Sequence, residues 1–340
     1  MRIGIDAMGS DFSPRNEIGG TVLAYDYFSK DSQSNIELSL YGDETEIKNI
    51  AKKYNYDIAQ FQCVHSSQQV EMTDDPLEIL KTKPDSSLYR GLEDLKNGKI
   101  DAFLSAGNTG AMLAISTVLL GRINGVSRPT IATLMPTASQ KPTILLDVGA
   151  TIDHRTRFLY EFAIMGSIYA QFALNIPEPR IGLLNIGEES SKGTDEVREA
   201  YKMLENSNLN FIGNIEGNDI LMGKADVIVC DGFVGNVILK FTEGFVSFLK
   251  AKLKSYGNSN LMNKFKLAMS APTIKNIFKE LDYEEYGGVP ILGVNGISIV
   301  GHGKSSPLAI KNMIARAKEL VDNNLTKKIE DSIILNTINP

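Results

Sequence analysis

One short loop combines the residue types that bind and activate an anion. Residues 105–110 read Ser-Ala-Gly-Asn-Thr-Gly and separate an apolar run that favours a strand from one that favours a helix. Gly107 allows a tight turn, and the free N–H groups of a helix start attract negative charge. With the Asn108 amide and the hydroxyl groups of Ser105 and Thr109, they predict a cradle for an anion or oxyanion. The alternative is a structural turn whose polar side chains cap the helix.

A second loop, 185–194, places paired carboxylates next to a lysine. It reads Asn-Ile-Gly-Glu-Glu-Ser-Ser-Lys-Gly-Thr and follows another apolar run. Glu188 and its neighbour fit general acid–base groups or magnesium ligands, and Lys192 with Asn185 suits a phosphate. The same carboxylates also fit a helix start, where they balance the dipole and Ser190 or Thr194 caps the helix.

A third segment, 230–236, reads Cys-Asp-Gly-Phe-Val-Gly-Asn and again runs from a predicted strand into a predicted helix. Asp231 is placed to orient a catalytic partner, and Asn236 to donate to a substrate oxygen. Cys230 is either a nucleophile or an inert core thiol. Its apolar surroundings favour the inert thiol.

A fourth loop, 301–306, reads Gly-His-Gly-Lys-Ser-Ser. His302 stands between two glycines, where it can approach a ligand closely. We interpret it as a proton donor, a phosphate ligand or a hydrogen-bonded loop residue. Lys304 and Ser305 add donors for an anion.

The remaining residues and motifs either end a predicted strand, as the four loops do, or exclude particular kinds of binding site. Asp6 ends the first predicted strand, whereas His65 and His154 have no comparable surroundings. The chain contains neither Gly-x-Gly-x-x-Gly nor Gly-x-x-x-x-Gly-Lys-Ser/Thr. The usual dinucleotide and P-loop cradles are therefore absent.

Alternating strand and helix patterns predict the elements that position these loops. Short β-branched or aliphatic runs recur between longer helical patterns, which predicts βαβ units around a largely parallel sheet. Ligands of such sheets bind at the carboxyl ends of the strands, where all four loops fall. The clearest helix covers 158–172, with one apolar stripe. The predicted strands are Arg2–Asp6, 36–41, 61–65, Ala102–Ser105, 130–135, 143–147, 180–185, 225–231 and Ile297–Val300.

Length and composition limit the classes of protein. We expect the 340 residues to form a single α/β catalytic domain, 1–340, and the net charge of −6 gives no sign of nucleic-acid binding. The two cysteines, Cys63 and Cys230, have no Cys or His nearby at metal-ligand spacing. This excludes the usual zinc sites and argues against a disulfide scaffold. Apolar runs such as 225–230 are too short to span a bilayer, and the chain opens directly on a strand. We therefore expect a cytoplasmic protein.

Residues 237–286 change the pattern to a lysine-rich helical projection, broken near 256–259. Its apolar stripe must be buried against something. A second copy of the chain, a membrane surface, an acidic carrier protein and its own domain are the alternatives. The candidate contact residues are Leu261, Met262, Phe265 and Met269. The lysines that fit an acidic partner, or simply solvate a helix face, are Lys250, Lys252, Lys254, Lys264 and Lys266.

Six motifs occur in order between residue 3 and about residue 309. They are Ile-Asp-Ala-Met-Gly at 5–9, Asp-Ser-Ser-Leu at 85–88, Ser-Ala-Gly-Asn-Thr-Gly-Ala at 105–111, Leu-Leu-Asn-Ile-Gly-Glu-Glu at 183–189, Phe-Ile-Gly-Asn-Ile-Glu-Gly at 211–217 and Asp-Gly-Phe-Val-Gly-Asn at 231–236. Together they resemble the bacterial acyl-ACP:phosphate acyltransferases (the PlsX type), over nearly the whole chain.

The resemblance implies a three-layer α/β/α sandwich like that of the isocitrate and isopropylmalate dehydrogenases, shared with phosphate acetyltransferases. It implies conversion of long-chain acyl-ACP and inorganic phosphate to acyl phosphate and free acyl carrier protein, for phospholipid synthesis. It also implies a homodimer with peripheral membrane contact that feeds a membrane glycerol-3-phosphate acyltransferase. We expect no cofactor and no metal.

The chain departs from the family pattern at two positions. Thr151 follows Asp-Val-Gly-Ala where the family usually has Asn, and Lys83-Pro84 stands where a basic pair is usual. Lys83 is therefore the expected phosphate contact of that segment, and Thr151 offers a hydroxyl in place of an amide.

Direct attack of phosphate on a thioester needs little acid or base, because phosphate is largely a dianion near neutral pH and the thiolate leaving group has a pKa of about 8.5. We assign Lys83, Ser105, Asn108, Thr109 and Lys192 to the phosphate and the oxyanion. His302 and Asp231 are assigned to proton transfer or orientation. The alternatives are a phosphate acetyltransferase using acetyl-CoA, a dehydrogenase on the same fold and a membrane-recruited scaffold.

Overall fold

Two sheets and their flanking helices form the fold. The computed structural model describes residues 1–30, 35–139, 141–151, 153, 155–280 and 287–338; His154 lies outside them. The strands are β1 (Arg2–Asp6), β2 (Glu37–Gly42), β3 (Gln62–His65), β4 (Ala102–Ser105), β5 (Thr130–Ile131), β6 (Thr133–Met135), β7 (Thr143–Leu146), β8 (Ile181–Leu184), β9 (Phe211–Ile215), β10 (Val227–Val229), β11 (Val289–Leu292) and β12 (Ile297–Val300). The helices are α1 (Arg15–Phe28), α2 (Glu44–Tyr54), α3 (Pro76–Thr82), α4 (Ser87–Lys96), α5 (Thr109–Leu119), α6 (Thr156–Ala173), α7 (Asp195–Glu205), α8 (Gly232–Asn258), α9 (Leu261–Glu280), α10 (Pro307–Asp322) and α11 (Leu325–Ile338).

The first sheet has the strand order β3-β2-β1-β4-β12-β11-β5. Strands β1 to β4 and β12 run parallel, and β11 runs antiparallel to both of its neighbours. The register pairs Ser105 with Val300 and Ile5 with Leu104. The carboxyl ends of β1, β4 and β12 therefore meet at one edge, and the loops that follow them lie side by side.

The second sheet has the order β6-β7-β10-β8-β9, with only β6 antiparallel. The predicted strand 130–135 is two strands that belong to different sheets, with Ala132 between them. The prediction of a single sheet was therefore wrong. Both halves of this run are buried. The hydrophobic pattern therefore does not show that the chain passes from one sheet to the other at Ala132.

Helices cover both faces of the first sheet, with α1 and α10 on one face and α4 and α5 on the other. Successive side chains along each strand point to opposite faces of the sheet, and the buried side chains therefore form two separate cores. Ile144 and Leu146 belong to the core that includes α6, whereas Leu145 faces the core that includes α5. The three-layer α/β/α arrangement predicted from the sequence is confirmed.

Two strands lacked a recognisable pattern in the sequence. In β9, Ile212 is exposed, Gly213 has a φ of +96°, and the register shifts against β8. In β11, Pro290 is unusual for a strand that is paired on both sides. The remaining predicted strands are present with ends that differ by no more than two residues.

Helices α8 and α9 form a hairpin where the projection 237–286 is predicted. α8 begins five residues earlier, at Gly232, and residues 281–286 lie outside the described residues. The break falls after Asn258, because Gly257 continues α8 and lies against Leu267 of α9. Pro272 lies inside α9 rather than between two helices.

By length and composition alone, α8 is long enough to cross a membrane, with a mean hydropathy of 1.2 over its most apolar window. The prediction concerned uninterrupted apolar runs, and Lys240 and Glu243 interrupt the apolar sequence of this helix. The first turn of α8 is nevertheless built into the fold, because Gly232 and Gly235 are buried. A Cβ at position 235 would lie 1.8 Å from the carbonyl oxygen of Asp147.

Candidate active site

A cleft of about 350 Å³ lies where the two sheets meet, a volume in the range of small-molecule sites. Four of the residues singled out in the sequence line it: Thr109, Asn236, His302 and Ser305. Most of the remaining wall is apolar. Its lining residues are Thr109, Gly110, Ile131, Thr133, Leu134, Val148, Gly149, Asn236, Leu239, Lys240, Glu243, Gly288, Val289, Val300, Gly301, His302, Ser305 and Ala309.

The start of α5 supplies the polar end nearest to the first sheet. Thr109 is its first residue, and Asn108 caps it by accepting the Ala111 N–H at 2.9 Å. The Ser105 hydroxyl accepts the Gly107 N–H at 3.1 Å. Ser105 and Gly107 thus shape the turn behind the cleft, and only Thr109 of this loop's predicted donors lines it.

Buried Asp6 holds this turn in place. Its carboxylate accepts hydrogen bonds from Ser105 at 2.7 Å and from Ser87, the first residue of α4, at 2.6 Å. Burial raises the pKa of Asp6, and the two serine hydroxyl groups and the Met8 N–H oppose the shift. Asp6 therefore ties the loop before α5 to the start of α4.

Asn108 and Lys83 both contact one neighbouring segment. The Asn108 amide donates to the backbone carbonyls of Glu71, Met72 and Asp74, each at 3.2 Å. The Lys83 ammonium donates to the Asp74 carboxylate at 2.5 Å and to the Gln69 carbonyl at 2.9 Å. In this conformation Asn108 is a cap and an anchor for that segment, and its role toward the oxyanion stays a prediction.

Asp147, which the sequence analysis passed over, organises the opposite wall. Its buried carboxylate accepts the N–H groups of Ile131 (3.3 Å), Gly149 (3.2 Å), Ala150 (3.0 Å) and Thr151 (2.8 Å). Burial raises its pKa, and these four bonds oppose the shift. The signal in the sequence that could have identified it is an aspartate at the end of a predicted strand, two residues before a glycine. In the structure Gly149 has a φ of +128°.

The start of α8 contacts that wall. Asp231 caps the helix through the Val234 N–H at 2.9 Å, and its role in orienting a catalytic partner stays a prediction. Asn236 reaches the cleft one turn later and lies against Gly149. Cys230 is buried, and burial raises the pKa of its thiol well above the usual range.

His302 enters the cleft from the loop after β12. Its Nδ1 accepts the backbone N–H of Lys304 at 3.1 Å, so the neutral ring carries its proton on Nε2. The Ser305 hydroxyl donates to the His302 carbonyl at 2.6 Å, which makes Ser305 a support of the loop as well as a lining residue. Lys304 is exposed beside the cleft.

The loop after β8 does not line this cleft. The Asn185 amide donates to the Lys192 carbonyl at 3.1 Å and its oxygen accepts the Ile186 N–H, which closes the loop on itself. Glu188 forms an ion pair with Lys224. The phosphate and acid–base roles predicted for these residues therefore find no support at the cleft. Among the described residues, no group of three or more His, Cys, Asp or Glu is placed to hold a metal ion.

The fold and cleft define an α/β protein that can hold an anion or oxyanion beside an apolar group. Residues 1–328 match a family described as "Fatty acid synthesis protein", and the chain belongs to that family. It is 43% identical over 334 residues to the Phosphate acyltransferase of Dictyoglomus turgidum, and 42% identical over 337 residues to that of Chlorobaculum parvum. The alignments cover 98% of both chains in the first case, and 97% of this chain and 98% of the relative in the second. The family predicted from the motifs is confirmed.

Solved structures with the same fold include a phosphotransacetylase from Streptococcus pyogenes, with a TM-score of 0.61 and 17% identity. It matches 95% of this chain and 94% of its own. The EutD phosphotransacetylase from Staphylococcus aureus matches with a TM-score of 0.58 and 18% identity over 94% of each chain. At these identities the likeness concerns the fold.

Proposed function

We propose that this protein transfers a fatty acyl group from an acyl carrier protein thioester to inorganic phosphate, for phospholipid synthesis. The observation that carries the proposal is the cleft itself, which joins an apolar wall to a polar end formed by Thr109, Asn236 and His302. A fatty acyl thioester needs both surfaces, one for its chain and one for its reacting carbonyl. The Phosphate acyltransferase relatives support this assignment.

The reaction needs no acyl-enzyme. A phosphate oxygen attacks the thioester carbonyl carbon, the tetrahedral oxyanion collapses, and the C–S electron pair leaves with the thiolate. Because that thiol has a pKa of about 8.5, departure requires little protonation. The protein must position two reactants and stabilise the oxyanion, which polar loops around a cleft can do.

We assign three groups to this work. The N-terminus of α5 with the Thr109 hydroxyl group offers donors to an anion, and Asn236 lines the same cleft. The Nε2–H of His302 can donate to the phosphate or to the leaving sulfur. The exposed Lys304 and Lys83, which is paired with Asp74, would add positive charge for phosphate near this end.

Both sheets contribute walls to the cleft, and we therefore treat 1–340 as one catalytic unit. The hairpin of α8 and α9 extends from it. On α8 the cleft-lining residues 236, 239, 240 and 243 occupy one face. The exposed stripe of Val237, Phe241, Phe245 and Phe248 lies almost opposite.

The exposed stripe of α8 fits a second copy of the chain. Its rings stack along the helix, with centroids 6.3 Å apart for Phe241 and Phe245 and 6.4 Å apart for Phe245 and Phe248. An aromatic stripe at helical spacing is self-complementary in a two-fold helix pair. We propose that this stripe forms the homodimer interface.

The exposed face of α9 fits a membrane surface. It carries Leu261, Met262, Phe265 and Met269, and Leu261 is 86% exposed. The lysines at 264 and 266 flank it and are exposed, which suits anionic headgroups. We propose a cytoplasmic enzyme with peripheral membrane contact, which would hand its reactive acyl phosphate to a membrane glycerol-3-phosphate acyltransferase.

Phosphate-dependent release of free thiol from palmitoyl acyl carrier protein tests the reaction. Acetyl-CoA and palmitoyl-CoA are run beside it, and hydroxylamine traps the acyl phosphate. Thiol release with trapped acyl phosphate supports the proposal, and Asn236→Ala should reduce it roughly 10²-fold or more if this amide binds the oxyanion. Turnover of acetyl-CoA alone would move the protein to the acetyltransferases.

Two matched variants test the hairpin. Phe241→Glu should convert the dimer to a monomer in light scattering while leaving the α9 face intact. Phe265→Glu should keep the dimer and lose co-sedimentation with anionic vesicles. A dimer unaffected by the first variant, or vesicle binding unaffected by the second, would refute the corresponding assignment.

A further inference from the structure

The segment 69–75, here called the strap, crosses in front of the start of α5. It is held at three points, two of which are side chains predicted from the sequence to bind phosphate. Asn108 donates to its carbonyls, Lys83 donates to its Asp74 and Gln69, and the Gln69 amide donates to the Met8 carbonyl at 2.8 Å. Thr109, next to Asn108, lines the cleft. The strap therefore borders the polar end of the proposed site.

Asp74 is the charged residue in this contact. Its carboxylate oxygen Oδ2 accepts from Lys83 at 2.5 Å and from the Glu71 N–H at 2.7 Å. Both side chains of the ion pair are 25% exposed, so water screens this pair less than a fully exposed one. This carboxylate oxygen therefore accepts from an ammonium and a backbone N–H, the same kinds of donor that bind a phosphate oxygen.

The Asn108 contacts are weaker. Its amide has two hydrogen atoms for three acceptors, each at 3.2 Å, so the bonds are shared and long. An inorganic phosphate that took the place of Asp74 would gain the Lys83 ammonium. It would also free the amide of Asn108, the N-cap of α5, from the strap.

We infer that Asp74 is an intramolecular competitor of phosphate for Lys83, so that it sets the affinity of the proposed site for phosphate. The inference rests on the proposed function, since it takes phosphate as the substrate that Lys83 binds. Phosphate entry then requires the strap to move, and the Lys83–Asp74 ion pair opposes that movement.

Isothermal titration with inorganic phosphate alone tests the competition, using the full chain and three variants. Asp74→Asn keeps an acceptor for the Glu71 N–H but removes the charge, and should lower the Kd for phosphate roughly tenfold. Lys83→Met should raise it by a similar factor. Glu78→Gln, an equal charge change on the exposed surface of α3, should leave it unchanged.

The two test variants separate competition from a structural role. If the ion pair only held the strap in place, Asp74→Asn and Lys83→Met would change phosphate affinity in the same direction, and this result would overturn the inference. In the wild type, phosphate should also speed amide hydrogen exchange in 69–75. This second measurement decides the matter if a variant fails to fold, and unchanged or slower exchange would contradict strap movement.

The proposed function is tested separately. A chain that binds phosphate with the predicted pattern but releases no thiol from any acyl donor would refute the acyltransferase reaction and leave the competition intact. A chain that turns over palmitoyl acyl carrier protein, but has the same phosphate affinity in the wild type and in Asp74→Asn, would refute the competition and leave the acyltransferase reaction intact.

Discussion

The Cys230 thiol donates a hydrogen bond of 3.4 Å to the backbone carbonyl of Asp147. This contact joins the end of β10 to the end of β7, directly beneath the wall of the cleft. The thiol is buried and faces the backbone of a neighbouring strand. Its position fits a packing residue, and the reaction proposed above makes no use of it.

Cys230→Ser should therefore keep turnover within about threefold of the wild type, because the protonated thiol is not the nucleophile. The serine hydroxyl can make the same hydrogen bond to Asp147. The measurement is kcat with palmitoyl acyl carrier protein, with iodoacetamide treatment of the folded wild type beside it. Complete loss of turnover in a variant that melts normally would favour an acyl-enzyme.

Asp147→Ala should be strongly destabilising. It leaves four backbone N–H groups without their acceptor, each at a cost of about 1–3 kcal/mol when buried. We expect a loss of at least about 3 kcal/mol together with most of the activity. Asp147→Asn keeps one acceptor oxygen and should fall between the wild type and Asp147→Ala in melting temperature. An alanine variant that melts like the wild type would show that the loop does not depend on this carboxylate.

His302→Ala should reduce kcat roughly 10²- to 10⁴-fold if the ring donates a proton. His65→Ala is a matched control, since its Nδ1 also accepts a backbone N–H, from Glu44 at 3.3 Å, but it does not line the cleft. The control should turn over normally. Equal activity of both variants would assign His302 to the support of its loop.

Glu17 lies fully buried on α1, and neither carboxyl oxygen has a hydrogen bond of normal geometry within the described part of the chain. Burial raises its pKa from 4.5 to about 8; the nearby Ser10 hydroxyl opposes this shift, and the Asp6 charge adds to it. Between these values the folded state keeps a proton that the unfolded state loses. Stability should therefore fall by up to about 1.4 kcal/mol per pH unit as the pH rises through this window.

Glu17→Gln removes that titration and should gain stability over the wild type as the pH rises. The measurement is the melting temperature at about pH 6 and about pH 8.5, where the difference between the two proteins should grow. Glu205→Gln, at an exposed position of α7, should follow the wild type at both values. Parallel melting curves for the wild type and Glu17→Gln would mean that Glu17 has no raised pKa.

The sequence by itself predicted the strands that end in polar loops and the family to which the chain belongs. Strand and loop are local properties, since β-branched runs and glycine-rich turns are read from neighbouring residues. For this reason β4, β12 and the loops at 105–110 and 301–306 were found correctly. The six motifs predicted the family, because their order along the chain is far more specific than any one motif alone.

Only the tertiary structure decided which loops share a site. Strand order is non-local: β12 lies beside β4 although almost 200 residues separate them, which brings His302 close to Thr109. The loop after β8 does not line the cleft. Strand β10 separates β8 from β7, whose following loop forms one wall of the cleft, and Glu188 forms an ion pair with Lys224 elsewhere. The contacts of Asn108 and Lys83 depend on acceptors up to 37 residues away, whereas Asp231 accepts the nearby Val234 N–H. A side chain's residue type sets which hydrogen bonds it can make, but packing decides which partner is within reach.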